Sequence, residues 1–122
     1  MKQHITVEQI QELTPEQQQK LMDWWKPDIG NYVFYQETDE YGEIFDREDC
    51  ICNVWTWKNI IYLNHLIDGG YKEILTEKAT PLLDIGQMIE LLGKEKSGRV
   101  IMREWQDNEL CDALWEAVKA VL

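Results

Sequence analysis

The 122-residue sequence has no apolar run approaching the roughly 18 to 20 residues that cross a bilayer, and its opening "MKQHITVEQI" lacks the apolar centre of a signal peptide. Residence in the cytoplasm is therefore expected, with no membrane partner. Cysteine is scarce: Cys50, Cys52 and Cys111 make an odd count without an export signal, which argues against a disulfide framework and for reduced thiols. Basic side chains are outnumbered 23 to 12, a formal net charge of -11 that would repel a phosphate backbone. Direct nucleic-acid binding is thereby disfavoured; an acidic surface suits a partner with a basic surface, although solubility alone explains such charge in many proteins. Three prolines and seven glycines are too few and too scattered to form a linker between domains, and there is no internal repeat, so one domain over residues 1–122 is expected. A Gly-rich phosphate loop, a paired-histidine zinc motif, a nucleophile elbow and a dinucleotide fingerprint are all missing. No catalytic residue and no cofactor follow from the sequence, and the expectation is a protein that is not an enzyme.

What is present is enough to fold. A hydrophobic fraction of 44% and six tryptophans supply burial for a conventional core. The first segment, "ITVEQIQELTPEQQQKLMDWWKP", contains two capping boxes in succession, Thr6 with Gln9 and Thr14 with Gln17, with Pro15 at a first helical position and Pro27 as a stop. A short helix, a kink and a longer helix are predicted, with Ile5 and Ile10 stapling the first start. "NYVFYQ" and "CICNVWTW" read as strands around an acidic stretch. "NIIYLNHLIDGGYKEIL" is ambiguous between a helix and a hairpin turning at Asp68-Gly69-Gly70, with the hairpin preferred. In "PLLDIGQMIELLG", Asp84 caps a helix with Gln87, Leu83 staples to Met88 and Gly93 ends it. "GKEKSG" then reads as a polar linker, "RVIMREW" as a strand and "NELCDALWEAVKAVL" as a terminal helix with one apolar face. The predicted architecture is α+β: N-terminal helices and a C-terminal helix packed on a small, mainly antiparallel sheet.

Three blocks, "ITVEQIQELTPEQQQKLMDWWKP", "TPLLDIGQMIELLG" and "ELCDALWEAVKAVL", resemble a group of small uncharacterised proteins of phages and prophages of Gram-positive bacteria. The blocks occur in the same order and cover roughly two-fifths of the chain. The resemblance carries no catalytic residue across. It implies a phage or prophage accessory protein and makes an inhibitory role, blocking a host protein that itself binds nucleic acid, more plausible.

Four constellations deserve weighing for chemistry. Cys50 and Cys52 with His65 have ligand softness for zinc, but a one-residue spacing is poor for the metal, and a strand would set both thiols on one face beside Val54. Cys111 lies on the apolar side of the terminal helix with no basic neighbour in sequence, as a core thiol does. The run "ETDEYGEIFDRED" holds Glu37, Asp39, Glu40, Glu43, Asp46, Glu48 and Asp49 against one base, Arg47. As a calcium loop it fails, because the first ligand is not Asp and Tyr41 takes a ligand position. It reads either as a solvated loop or as a carboxylate patch imitating phosphates in a partner's basic groove. Among the aromatics, Trp24 and Trp25 are adjacent and cannot both face one core, so one is available as an anchor for a partner. Trp55 and Trp57, read as sharing a strand face, form with Tyr62 an alternative stacking site for a planar, nucleotide-like ligand. The leading expectation is partner binding through Glu37, Asp39, Glu40, Glu43, Asp46, Glu48 and Asp49 with Trp24 or Trp25; oligomeric state is left open.

Overall fold

A computed structural model describes residues 2–65, 70–104 and 109–122. Its elements run α1 (Val7–Ile10), α2 (Pro15–Trp24), β1 (Tyr32–Thr38), β2 (Ile44–Trp55), a 3-10 turn (Thr56–Lys58), β3 (Ile60–His65), β4 (Gly70–Leu75), a second 3-10 turn (Thr76–Lys78), β5 (Thr80–Leu82), α3 (Ile85–Leu92), α4 (Lys94–Glu104) and α5 (Leu110–Val121). The α+β class is as expected. The chain forms two compact units, one of Met1–Trp24 with Leu82–Leu122 and one of Trp25–Pro81.

In the helical unit the three capping boxes and the glycine stop after α3 are realised. The Thr6 hydroxyl accepts from the Gln9 backbone N–H at 3.2 Å while the Gln9 amide oxygen accepts from the Thr6 N–H at 3.0 Å, closing the first capping box. Thr14 and Gln17 repeat it at 3.2 and 2.9 Å, one residue ahead of Pro15, and α2 stops before Pro27. Asp84 and Gln87 do the same for α3, and Gly93 ends that helix at a φ of 85°, a left-handed conformation that a side chain would resist. Ile5 and Ile10, and Leu83 and Met88, the two pairs read as staples, are all buried. α3, α4 and α5 pack on one another, and α5 buries Cys111, Leu114, Trp115 and Val118.

One element differs from its sequence reading. Residues 94–104 form helix α4, where "GKEKSG" was expected as a linker and "RVIMREW" as a strand. Val100 and Ile101 alone favour a strand, but Lys, Glu, Arg and Met dominate the segment and are good helix formers. Ser97 and Val100, three apart, turn one side inward, and the Ser97 hydroxyl returns to the Gly93 carbonyl at 2.8 Å. The three-residue apolar run Val100–Met102 is too short to show that period.

The other unit is built on the five-stranded sheet, of order β4-β3-β2-β1-β5. β1 and β2, β2 and β3, and β3 and β4 pair antiparallel. β3 and β4 are thus the antiparallel pair that the hairpin reading requires; of the predicted turn residues, Gly70 begins β4, and Asp68 and Gly69 lie outside the described residues. Register divides the strands by parity. One face carries Val33, Tyr35, Glu37, Phe45, Arg47, Asp49, Ile51, Val54, Ile61, Leu63, Lys72 and Ile74; Val33, Ile51, Ile61 and Leu63 are fully buried there. A bulge between Ile51 and Asn53 shifts the parity of the rest of β2. Val54 therefore lies on the buried face, not beside Cys50 as strict alternation had predicted.

Candidate functional site

The acidic run does not form one loop. Only residues 39–43 connect the strands, in a tight turn where the Asp39 carboxylate accepts from the backbone N–H groups of Tyr41 and Glu43 at 2.8 and 2.9 Å, and Gly42 supplies a φ of 81°. Glu37 belongs to β1, and Asp46, Glu48 and Asp49 belong to β2. Parity then sends the strand carboxylates in two directions.

Glu37 and Asp49 fall on the buried face, where both are engaged. The Glu37 carboxylate lies 2.6 Å from Lys72 Nζ and 3.1 Å from Arg47 Nε, the latter an ion pair without hydrogen-bond alignment. The Tyr35 hydroxyl donates to Asp49 at 2.5 Å, and Lys72 Nζ stands 5.1 Å over the Tyr35 ring. Burial, then the Asp49 carboxylate, push the Tyr35 phenol well above its usual range. The network is structural chemistry: a neutral phenol and two cations satisfy two carboxylates that would otherwise be expensive to half-bury. Sequence reasoning missed Tyr35 and Lys72, because only the cross-strand register reveals them.

The opposite face is exposed and has a different character. It presents Tyr32, Phe34, Asp46, Glu48, Trp55, Tyr62, Tyr71 and Glu73, with Tyr71 77% exposed. Arg47 and Lys72 are the sole Lys or Arg residues of β1 to β4, and both lie on the buried face. The exposed strand positions therefore combine aromatic rings with the carboxylates of Asp46, Glu48 and Glu73 and no neutralising side chain of their own. Tyr71 and Glu73 had no signal in the sequence, since β4 was uncertain there. Glu40 and Glu43 stand exposed at the hairpin tip.

The tryptophans separate as their adjacency predicted. Trp25 is buried at 5% exposure, its indole N–H donating to Asn31 Oδ1 at 3.3 Å, and so is not the anchor; Trp24, on α2, is half-buried. Trp55 and Trp57 do not share a strand face: Trp55 ends β2, whereas Trp57 sits in the following 3-10 turn and is 79% exposed. Their rings meet edge to face, 5.5 Å apart at 71°, with Lys58 Nζ 4.1 Å over Trp55 and 5.9 Å from the Trp57 centroid. Asn59 closes this turn at a φ of 53°, a conformation Asn accepts more readily than most residues.

The Cys52 thiol donates to the Tyr62 carbonyl at 3.2 Å, and burial pushes the Cys50 and Cys111 thiols up from their usual range. Cys111 sits in the core of the helical unit. Among the described residues no group of three or more His, Cys, Asp or Glu is arranged to hold a metal ion, and no helix is long and apolar enough to cross a membrane. Register sends Glu37 and Glu48, both in the run weighed as a calcium loop, to opposite faces of the sheet.

Comparison with protein-family models, curated proteins and solved structures returns no match.

Proposed function

We propose that this chain is a non-enzymatic accessory protein of phage or prophage origin that binds a host or phage protein through the exposed face of its sheet. The observation that carries the reading is the sorting of charge by strand parity: Asp46, Glu48 and Glu73 lie exposed among Tyr32, Phe34, Trp55, Tyr62 and Tyr71, while Arg47 and Lys72 face the other way. A solvated sheet face usually mixes Lys with Glu and Thr. Aromatic rings interleaved with unneutralised carboxylates suit a partner whose Arg and Lys side chains pair with the acids and stack on the rings. Inhibition of a nucleic-acid-binding protein is the form this takes if the partner's basic groove is the site occupied; the three phage-like blocks support that setting.

The test is capture of partners by the tagged protein from host lysate at low and high salt, run beside a triple variant Asp46→Lys, Glu48→Lys and Glu73→Lys. A specific protein retained by the wild type, released by salt and lost by the variant supports the reading, with an unchanged melting temperature showing that the fold is intact. Equal retention by the variant removes the sheet face from the interface.

The nucleotide-like stacking reading has one observation in its favour, the exposed Trp57 ring beside the Lys58 ammonium. Against it, Lys58 already covers a face of Trp55 at 4.1 Å, which leaves Trp57 as the principal open platform. Saturable quenching of tryptophan fluorescence by nucleotides, abolished in Trp57→Ala, would favour it.

A further inference from the structure

Between α4 and α5 runs an open groove of about 840 Å³, floored by Leu92, Val100, Ala117 and Val121. Met102, at its margin, is 78% exposed. Its rim is basic in a strongly acidic protein: Lys96, Arg99 and Arg103 line it against one acid, Glu95, which lies 3.7 Å from Arg99. An apolar concavity with a cationic margin selects an occupant that is apolar in the middle and anionic at the flanks.

The same chain displays such an element. At the β1–β2 turn, Tyr41 is 83% exposed and Ile44 and Phe45 are exposed beside it, flanked by Glu40 and Glu43. β3 pairs with β2 only from Ile51 onward, so on that side Ile44–Cys50 has no strand neighbour among the described residues. A hairpin turn and strand edge with three exposed large apolar side chains are unusual for a surface that meets only water. The charge signs of hairpin tip and groove rim are opposite.

The geometry points to head-to-tail self-association, in which the hairpin tip of one copy, Glu40 to Phe45, docks in the α4–α5 groove of a second copy. Tyr41, Ile44 and Phe45 cover the groove floor and Met102, and Glu40 and Glu43 meet Arg99, Arg103 and Lys96. Such a contact is heterologous: each copy uses its tip on one neighbour and offers its groove to another, so it closes as a ring or extends as a chain. It uses neither Asp46 and Glu48 nor Glu73, and stands or falls separately from partner binding on the sheet face.

Sedimentation velocity on the full chain, from about 10 μM to about 1 mM, tests it in the range of weak to moderate affinities. The expected result is a weight-average mass that rises with concentration and falls when salt shortens the screening length. Two variants decide the surfaces: Arg99→Glu with Arg103→Glu reverses the groove, and Glu40→Arg with Glu43→Arg reverses the tip. Each alone should stay monomeric, since both of its surfaces then carry one sign. Mixed, they should associate, because the reversed tip fits the reversed groove and the native tip fits the native groove. Circular dichroism melts matching the wild type show that the variants are folded. A wild type that stays monomeric to about 1 mM, a variant that self-associates unmixed, or a mixture that stays monomeric overturns the proposal.

Discussion

On the buried face of the sheet Tyr35 donates to Asp49 and Glu37 sits between Arg47 and Lys72; on the exposed face Tyr71, Asp46, Glu48 and Glu73 have no Lys or Arg from the strands to meet. The two faces draw on the same residue types, a phenol, carboxylates and aromatic neighbours, within the same four strands. What differs is desolvation. Where water is excluded, each carboxylate must be given a donor or a cation, so its position is set by the fold. Where water remains, a carboxylate needs no partner of its own, and the field it projects is free to act on another molecule. Counting acidic residues in "ETDEYGEIFDRED" therefore overstated the available patch: Glu37 and Asp49 serve folding, Asp39 holds the turn, and Glu40, Glu43, Asp46 and Glu48 are left facing solvent.

The sharpest way to break the comparison is to delete one apolar side chain from each face. Leu63→Ala, on the buried face, should cost about 2–5 kcal/mol in chemical denaturation, whereas Tyr71→Ala, opposite Asn64 on the exposed face, should stay within about 0.5 kcal/mol. Equal losses would mean that the two faces are not distinguished by burial. Next, Tyr35→Phe removes the hydroxyl that donates to the Asp49 carboxylate, and should cost about 1.5–3 kcal/mol in the same measurement.

Tyr35 also makes the comparison visible spectroscopically. Its phenol is raised by burial, so the folded state holds a proton that the unfolded state releases near about pH 10. The stabilisation is complete below that pH and is lost as pH rises towards the folded value. An alkaline ultraviolet titration should show one of the five tyrosines ionising only with unfolding, and Tyr35→Phe should abolish that late step. If all five titrate while near-ultraviolet dichroism is still native, Tyr35 is not held as described.

Smaller effects are expected where charges are partly wet. Lys2 Nζ lies 2.6 Å from both Asp112 Oδ1 and Gln9 Oε1, joining the N-terminal segment to α5. The Lys2 hydrogen bond holds the Asp112 carboxyl below its ordinary range, so its stabilisation is present above about pH 4 and fades as pH falls through the folded value. Both side chains are about a third exposed, so Asp112→Asn should cost no more than about 1 kcal/mol at neutral pH, with the difference from wild type shrinking in acid. Smallest of all, Asp46→Asn with Glu48→Gln should leave stability within about 0.5 kcal/mol while weakening salt-sensitive partner retention. A large loss of stability there would place these carboxylates among the structural ones.

Local signals were the legible part of this chain. The three capping boxes, the proline stop after α2 and Gly93 after α3 each act within four residues, through side-chain to backbone hydrogen bonds that need no distant partner. The α5 face was readable for the same reason, as a period repeated over twelve residues. α4 was not, because Ser97 and Gly98 imitate a linker and Val100 and Ile101 a strand; its helix depends on packing with α3 and α5. Trp57 was misplaced because nothing in "VWTWK" announces the 3-10 turn that takes it off the strand.

By itself, the sequence determined the class of fold, the ends of the capped helices and the acidic balance of the surface, since composition and nearest-neighbour chemistry are properties of the chain. Tertiary structure alone decided which carboxylates are spent on Arg47, Lys72 and Tyr35 and which face water, and it assembled the α4–α5 groove. Those outcomes hang on strand register, on one bulge at Ile51 and Asn53, and on helix packing. A shift of a single residue in pairing exchanges the two faces of a strand, and no local pattern records it.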